Sequence, residues 1–337
     1  MRAALFAYSK KGLDTAKKAA ACIDGEAELF TVERLAGDGA KPIPKPSSAF
    51  YGEKFTASEA LVFVSSCGIA VRSIAPFIKS KITDPAVVVI DETGRFVISL
   101  LSGHIGGANV LAERIANALG AVPVITTATD ANGRFSVDSW AKTRGYSISD
   151  MAAAKAVSAA ILEGDIPVKS DSPITGELPA GLTCGEGETG VYITYKTDEP
   201  FKTTLRLIPK CVVLGIGCRR GTPKEAIAEA VRHALTKNGI DPRSVKCAAS
   251  IDLKKDETGL IEYCRENGLP LSFHTAEELK TVPGEFTASD FVKEITGVDC
   301  VCERAALINA GELIIRKTAL AGVTVAAALV KTEVNFG

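Results

Sequence analysis

The segment Ile98–Asn109 holds the residues of this chain with the clearest chemical potential, because an apolar run ends there in a Ser-Gly-His-Ile-Gly-Gly sequence. His104 is one of only three histidines in the chain. An imidazole titrates near neutral pH and suits proton transfer, while glycines let a ligand approach the main chain closely. We therefore predict a ligand-facing His104, with Ser102 and Asn109 as further catalytic residues.

A strand-to-helix turn is the element that would position these groups. The apolar residues from Leu111 to Leu119 recur at helical spacing, and Gly120 can close the helix. Ligands usually bind at the carboxyl ends of strands in open α/β sheets, and helix N-termini attract negative groups. The turn therefore predicts an anionic ligand held by three glycines, namely Gly103, Gly106 and Gly107.

Two further turns carry polar groups after predicted strands. Cys67–Arg72 follows the strand Leu61–Val64, and Thr126–Asp130 follows the strand Val122–Ile125. We expect both turns to emerge at the same sheet edge as His104. They add four predicted substrate-binding residues: Gly68, Arg72, Thr126 and Thr127. Cys67 is a reserve nucleophile, although a buried reduced cysteine is the commoner role for such a residue.

The predicted fold class is α/β. Short apolar runs alternate with helical patterns in the first third of the chain, which favours a mainly parallel sheet. The turn sequence Asp91–Gly94 predicts a local antiparallel hairpin between strands Ala86–Ile90 and Phe96–Leu101, so that the sheet is mixed.

Three segments are predicted along the chain. Residues 1–135 form the N-terminal mixed-sheet domain, and residues 136–206 form a small middle module that includes an alanine-rich helix from Met151 to Leu162. Residues 207–337 form a separate C-terminal α/β domain, because a fresh α/β pattern begins with the strand Cys211–Gly217.

In the C-terminal segment, paired arginines stand where a strand leads into a helix. Thr222–Glu225 has the pattern of a capping box with proline at the first helical position. Guanidinium groups pair with carboxylates in a bidentate manner, so Arg219 is a better candidate for a carboxylate contact than Lys254 and Lys255, which also suit a solvated helix start. The predicted binding residues here are Gly217, Arg219, Thr222 and Glu303, and Glu303 alternatively only caps its helix.

Composition excludes several classes of protein. Thirty-nine basic and 40 acidic residues leave a net charge of −1, which gives no global reason to bind nucleic acid or an anionic membrane. No apolar run approaches the roughly 20 residues of a membrane span. Nine scattered cysteines indicate reduced thiols in a cytoplasm. Cys300-x-Cys302 has no second cysteine pair at zinc-site spacing, so we predict no metal site.

Four motifs occur in an order that carries a family resemblance: Gly68–Arg72, Leu101–Asn109, Gly215–Thr222 and Val301–Ala306. On these motifs the chain resembles the cobalt-precorrin-5A hydrolase family, over nearly its whole length. The resemblance implies an enzyme of the anaerobic cobalamin pathway that opens the δ-lactone of cobalt-precorrin-5A and releases acetaldehyde, giving cobalt-precorrin-5B.

The resemblance also implies a substrate that brings its own cobalt, so no cofactor is expected. That corrinoid carries several acetate and propionate groups, which arginines at helix starts could hold; neighbouring pathway enzymes stay open as partners. Our hypothesis is that His104 activates water to attack the lactone carbonyl, while Gly106, Gly107 and Asn109 stabilise the oxyanion. Direct attack by water and a covalent acyl-enzyme both remain open.

Two other functions remain. A corrinoid-binding or tetrapyrrole-binding module would bind the same ligand without catalysis. A nucleotide-binding α/β enzyme ranks third, because such an enzyme needs a Gly-x-Gly-x-x-Gly or Walker loop after its first strand, and Tyr8–Gly12 matches neither.

Overall fold

The structure is a computed structural model that describes residues 1–80, 83–104, 106–308 and 310–337. The chain divides into two compact units, Met1–Ser139 and Trp140–Gly337. Within the described ranges, no helix has the length and apolar character needed to cross a membrane. The three-segment organisation with boundaries after residues 135 and 206 stays a prediction.

The first unit is built on a seven-stranded sheet with helices on both faces. Its strands are β1 (Arg2–Ala7), β2 (Glu26–Thr31), β3 (Ala40–Pro42), β4 (Ala60–Val64), β5 (Ala86–Ile90), β6 (Phe96–Leu101) and β7 (Val122–Val124). Its helices are α1 (Lys10–Ala20), α2 (Ser47–Ala57), α3 (Cys67–Ile74), α4 (Ala108–Leu119) and α5 (Ala128–Ala131), and α6 (Val137–Thr143) begins in this unit. The spatial order of the strands is β3-β2-β1-β4-β5-β6-β7.

Apolar strands at the centre of this sheet hold the unit together. Leu5 and Val62 belong to the core on one face, which also contains residues of α1 and α4. Phe6 and Phe63 belong to the opposite core, where their rings stack with centroids 4.8 Å apart. All four side chains are fully buried, and burying a side chain of this kind stabilises a fold by about 1.5–3 kcal/mol.

The strand direction reverses after β5, and this reversal decides where the predicted site residues lie. Strands β1 to β5 are parallel, β6 is antiparallel to β5, and β7 is parallel to β6. The mixed sheet and the hairpin are therefore confirmed. The turn between β5 and β6 forms because the Asp91 carboxylate accepts hydrogen bonds from the N–H groups of Thr93 and Phe96, and Gly94 takes a φ of +70°.

The reversal of strand direction divides the three predicted turns between two edges of the sheet. The carboxyl ends of β6 and β7 lie at the sheet edge opposite the carboxyl end of β4, because strands of opposite direction end at opposite edges. The prediction that all three turns share one edge is therefore wrong. The turns that follow β6 and β7 share an edge, and Cys67–Arg72 lies at the other.

The second unit contains two five-stranded sheets and a short strand pair. One sheet has the order β11-β9-β12-β13-β8 and a second has the order β16-β15-β14-β18-β17, while β10 pairs with β19. The strands are β8 (Ser147–Ile148), β9 (Ile166–Ser170), β10 (Ile174–Thr175), β11 (Leu182–Thr183), β12 (Thr189–Ile193), β13 (Thr203–Ile208), β14 (Val212–Cys218), β15 (Val245–Ile251), β16 (Leu271–His274), β17 (Glu312–Leu320), β18 (Val323–Leu329) and β19 (Val334–Asn335).

Its helices are α7 (Met151–Glu163), α8 (Lys224–Lys237), α9 (Thr258–Glu266), α10 (Ala276–Thr281), α11 (Asp290–Thr296) and α12 (Val301–Leu307). Helix α12 packs closely on β14 because Gly215 has no side chain. A Cβ atom at Gly215 would lie 1.8 Å from the carbonyl oxygen of Cys302. Glycine is therefore required there for helix and sheet to meet.

The capping box predicted at Thr222–Glu225 is wrong. Helix α8 begins at Lys224, Pro223 is its N-cap residue, and no side chain caps the helix. The Thr222 hydroxyl instead donates a hydrogen bond to the carbonyl of Arg219 over 2.7 Å. The proline stands before the first helical residue, which moves Glu225 out of the position from which a capping box would reach back.

Candidate active site

The turn from β6 into α4 is held by its own backbone. Ser102 adopts a left-handed φ of +58°, and Gly107, the N-cap residue of α4, has a φ of +87°. The N–H groups of Gly107, Ala108 and Asn109 donate hydrogen bonds of 2.9, 3.1 and 3.0 Å to the carbonyls of residues 104, 102 and 103. The main-chain N–H groups of Gly107 and Asn109 are therefore engaged within the turn, and the role of these residues at an oxyanion stays a prediction.

Two glycines of the turn are required by its packing. A Cβ atom at Gly103 would lie 2.6 Å from Oδ1 of Asn109, and one at Gly106 would lie 2.2 Å from Cβ of Ser102. Neither position accepts a side chain without moving the turn. A direct contact of these glycines with substrate stays a prediction.

His104 is held between two carboxylates. Its Nε2 atom lies 2.7 Å from Oδ2 of Asp130 and 3.2 Å from the hydroxyl of Thr129, and its Nδ1 atom lies 3.3 Å from Oδ1 of Asp138. The side chains of His104 and Asp138 are 14% and 10% exposed, whereas that of Asp130 is 36% exposed. The cluster is therefore closed on the Asp138 side and open at Asp130.

These contacts set the charge of the imidazole. The hydrogen bond to Asp138 raises the pKa of His104, and the bond to Asp130 raises this pKa further, against a lowering by burial. Burial alone would raise the pKa of Asp138, but hydrogen bonds from His104, from the Ser136 hydroxyl and from the Ser139 N–H lower it below its ordinary value. The arrangement favours an imidazolium between two carboxylates.

An imidazolium donates from both nitrogens and has no lone pair with which to take up a proton. The geometry therefore does not support the hypothesis that His104 acts as the general base in the resting protein. The raised pKa favours the protonated imidazole, which places a positive charge beside Asp130.

Asn109 holds the Asp130 carboxylate of the cluster through a hydrogen bond. Its side chain is buried, with Oδ1 accepting a hydrogen bond of 2.6 Å from the Ser99 hydroxyl. Its Nδ2 atom donates bonds of 3.0 Å to the Thr127 hydroxyl and to Oδ2 of Asp130. The amide is thus engaged with Ser99, Thr127 and Asp130, and its role at an oxyanion stays a prediction. Thr126, the residue before Thr127, is exposed at the same edge of the sheet.

Ser102 has an unusual environment. Its hydroxyl is buried and has no hydrogen-bond partner among the residues that the structure describes. Its left-handed backbone is also strained for a residue with a side chain. Such strain is often found at functional sites, but a catalytic role of Ser102 stays a prediction.

The C-terminal site residues lie where β14 leads into α8. Arg219 and Arg220 are exposed, and neither guanidinium has a partner in the described part of the chain. The stem of Arg219 runs beside Gly322, at which a Cβ atom would lie 3.2 Å from Cδ of the arginine. Arg220 and Thr222 line a cavity of about 420 Å³ at the N-terminal ends of α8 and α9. This edge presents free cations to solvent.

Comparisons with known proteins place the chain in a family. Residues 49–130 match the family model "Cobalamin synthesis G N-terminal", and residues 212–328 match "Cobalamin synthesis G C-terminus". The cobalt-precorrin-5A hydrolase of Salmonella typhimurium is 36% identical over 96% of this chain and 96% of that protein. The enzyme of the same name from Priestia megaterium is 34% identical over 82% of this chain and 80% of that protein. The chain belongs to the cobalt-precorrin-5A hydrolase family.

The family resemblance that the four motifs indicated is thus confirmed. A solved structure described as a cobalamin biosynthesis protein G homologue from Sulfolobus solfataricus covers 97% of both chains, with 21% identity and a TM-score of 0.40. His104, Asn109 and Asp130 lie within the segment matched by the N-terminal family model, and Arg219 lies within the segment matched by the C-terminal model.

Two predicted residues of the family motifs are not brought together with His104. Gly68 and Arg72 lie at the opposite edge of the first sheet, because β6 runs against β4 through β5. Arg72 is exposed, and its guanidinium folds back over Gly68, where a Cβ atom would lie 3.4 Å from Nη1. The neighbouring Cys67 is half-buried at the start of α3.

Two further predicted binding residues serve the fold of the second unit. Glu303 is fully buried, and its carboxylate accepts bonds of 2.7–2.8 Å from the N–H and hydroxyl of Thr287 and from the N–H of Lys317. Glu303 does not cap its own helix, so that alternative is wrong, and its contact with substrate stays a prediction. Gly217 lies in β14, where a Cβ atom would be 2.6 Å from the hydroxyl of Thr324.

Sequence reasoning missed Asp138 and did not single out Asp130 or Thr129. Asp130 and Thr129 stand in the Thr126–Asp130 turn, so the signal was a carboxylate at the end of a turn next to the histidine turn. Asp138 gives no such signal, because it lies in α6 and only the fold brings it to His104.

The described residues contain no group of three or more His, Cys, Asp or Glu side chains arranged to hold a metal ion. All nine cysteines are free thiols, and the sulfur atoms of Cys300 and Cys302 lie 3.9 Å apart in the core. The absence of a cofactor stays a prediction.

Proposed function

We propose that this chain hydrolyses the δ-lactone of cobalt-precorrin-5A and releases acetaldehyde to give cobalt-precorrin-5B. The observation that carries this proposal is the His104 cluster. The imidazole of His104 is held between the carboxylates of Asp130 and Asp138, and His104 and Asp130 lie inside the segment that matches the N-terminal family model. The name that the Salmonella typhimurium relative carries supports the same substrate.

Lactone opening needs two things that this cluster can supply. A proton must leave the attacking water and another must reach the departing oxygen, so an acid–base group must stand beside the carbonyl. The carbonyl oxygen also gains negative charge in the transition state, and a nearby fixed cation stabilises such charge. The carboxylates of Asp130 and Asp138 and the imidazolium of His104 provide an acid–base group and a cation in one place.

Recognition of the substrate needs a different chemistry. A corrinoid with acetate and propionate groups is a polyanion, and exposed guanidinium groups pair well with carboxylates. Arg219 and Arg220 supply such groups in the second unit, and Arg72 supplies one in the first. A chain with a net charge of −1 can thus bind a polyanion through local cations. The nine free thiols support a cytoplasmic setting, and neighbouring pathway enzymes are further candidate partners.

The test is incubation of the purified chain with cobalt-precorrin-5A, followed by measurement of acetaldehyde and of the corrinoid product. We expect one acetaldehyde per substrate molecule converted. Binding of the corrinoid without release of acetaldehyde would contradict the proposal and would indicate a binding module. A reaction without protein controls for spontaneous lactone opening.

A further inference from the structure

The three charged groups of the cluster differ in what they can present to a substrate. Asp138 is 10% exposed, and its Oδ1 atom already accepts bonds from His104, Ser136 and Ser139. His104 is 14% exposed, and each of its ring nitrogens faces a carboxylate. Asp130 is the most open of the three, at 36% exposure.

Asp130 combines this exposure with a free acceptor atom. Its Oδ2 atom is held by Nε2 of His104 at 2.7 Å and by Nδ2 of Asn109 at 3.0 Å. No described residue donates a hydrogen bond to its Oδ1 atom. One carboxylate oxygen is therefore fixed and the other is left to accept a proton from solvent or substrate. A general base needs such a geometry, with a positioned group and an available lone pair.

The charge of the cluster leaves Asp130 able to act as a base. One imidazole is shared by two carboxylates, so the three groups keep a net negative charge even when His104 is protonated. The ion pairs that the structure gives for Asp130 and Asp138 are both with His104. A positive charge on His104 is therefore divided between Asp130 and Asp138 and does not fully neutralise Asp130.

Resting on the proposed function, we propose that Asp130 is the proton acceptor for lactone opening, and that His104, Asn109 and Asp138 are positioning residues. His104 and Asn109 hold Oδ2 so that Oδ1 faces the reacting water. Asp138 holds His104 from behind, through a carboxylate that the chain itself fixes at Ser136 and Ser139.

In the proposed step, Asp130 takes up one proton and returns it, so that protons and electrons balance. An O–H bond of water breaks, its proton passes to Oδ1 of Asp130, and the water oxygen forms a bond to the lactone carbonyl carbon. The tetrahedral intermediate then expels the lactone alkoxide by breaking the carbon–oxygen bond, and the alkoxide takes the proton from Oδ1. The products are a carboxylic acid and an alcohol, and the Asp130 carboxylate is restored. No further reagent is needed.

The experiment uses the full chain with Asp130→Asn and Asp130→Ala, and Glu113→Gln as a matched control. Glu113 is an exposed carboxylate on α4 and has no partner in the described ranges. We measure kcat for acetaldehyde release, and substrate affinity by titration of the corrinoid absorption. We expect kcat to fall by about 10²–10⁴-fold in both Asp130 variants, with affinity close to that of the wild type. Glu113→Gln should match the wild type.

A rescue experiment separates a base from a group that only positions its neighbours. Added formate should restore part of the activity of Asp130→Ala, because a small carboxylate can enter the space that the side chain leaves. Formate should not restore a His104→Gln variant, which keeps Asp130. Circular dichroism checks that each variant folds, and Asp130→Asn, which has nearly the same shape, decides the matter if the alanine variant does not fold.

Retained kcat in a folded Asp130→Asn variant would overturn the proposal, and so would a loss of kcat in Asp130→Ala that formate does not restore. An inactive wild type is a different result. It would contradict the proposed function before any variant is compared, so the failure of the one is distinguishable from the failure of the other.

Discussion

The His104 cluster in the first unit and the arginine edge of the second unit differ in how their charges are held. At His104 the imidazole and the amide of Asn109 have a partner for each of their polar atoms, and the groups are mostly buried. In the second unit, Arg219 and Arg220 are exposed, and no described residue pairs with their guanidinium groups. One region is organised in advance, and the other is left free to pair with an incoming charge.

The difference teaches where catalysis and recognition are to be sought. Proton transfer depends on groups held in a fixed geometry, since small displacements cost much of the rate. Recognition of a flexible polyanion can rely on free guanidinium groups that pair when the ligand arrives. We therefore propose that the His104 cluster of the first unit breaks the bond and that Arg219 and Arg220 of the second unit recognise carboxylates, and separate variants can test this division.

Among the variants that compare these two regions, the largest effect is expected for His104→Gln. Glutamine removes the imidazolium that holds Oδ2 of Asp130, so kcat should fall by about 10²–10⁴-fold with little change in substrate affinity. Steady-state acetaldehyde release is the measurement. His233→Gln is the matched control, because His233 is exposed on α8 and should leave kcat unchanged. Equal losses in the two variants would remove the distinction between the regions.

A smaller loss is expected for Asp138→Asn. The amide cannot attract the imidazolium as the carboxylate does, so the pKa of His104 should fall and kcat should drop by about 10- to 100-fold, as for other partners that orient a functional histidine. Because activity requires the charged imidazole, wild-type kcat should decline as pH rises through the raised pKa of His104. In Asp138→Asn this decline should move to lower pH. An unshifted pH profile would show that Asp138 does not set the charge of His104.

Arg219→Ala and Arg220→Ala sharpen the other side of the comparison. Each should raise KM by about three- to tenfold at low salt, because an exposed charge-assisted contact is lost, and should leave kcat near the wild-type value. The increase should shrink at high salt, where the wild type loses the same attraction. Arg232→Ala, an exposed arginine further along α8, is the control. A fall in kcat without a change in KM would place these arginines in the chemistry instead.

The smallest effect on activity is expected for Glu303→Gln, which tests the correction that this residue serves the fold. The buried carboxylate accepts three hydrogen bonds, so the free energy of unfolding should fall by about 1–3 kcal/mol at neutral pH while kcat and KM stay unchanged. Backbone bonds from Lys317 and Thr287 lower the pKa of Glu303 against the effect of burial. This stabilisation is thus present above the ordinary pKa of 4.5 and is lost as pH falls through the lowered value. Denaturant unfolding at neutral and acidic pH checks both points.

The sequence predicts the local elements of the first unit well, because each is encoded by nearby residues. Strands Ala86–Ile90 and Phe96–Leu101 have the predicted bounds, and helix Ala108–Leu119 contains the predicted helical pattern from Leu111 to Leu119. Gly120 ends that helix in a left-handed conformation, as predicted. These elements combine buried apolar patterns with strong turn residues, so tertiary contacts had little to change.

What the sequence could not give is the arrangement of turns across the sheet. The antiparallel hairpin was predictable from Asp91–Gly94. That this hairpin places Arg72 and His104 at opposite edges of the sheet follows only once all strand directions are known. Asp138 is likewise found only by the fold. Glu303 was misread because its position near a helix start does not reveal that β17 and Thr287 enclose it.

Single-turnover kinetics with enzyme in excess over cobalt-precorrin-5A test the central claim most directly, because they separate the rate of acetaldehyde release at saturation from substrate affinity. The comparison needs the wild type, His104→Gln, and a variant with both Arg219→Ala and Arg220→Ala. We predict that His104→Gln loses the saturating rate and keeps its affinity, whereas the arginine variant loses affinity and keeps the rate. Loss of the same quantity in both variants, or a wild-type rate in His104→Gln, would contradict the account.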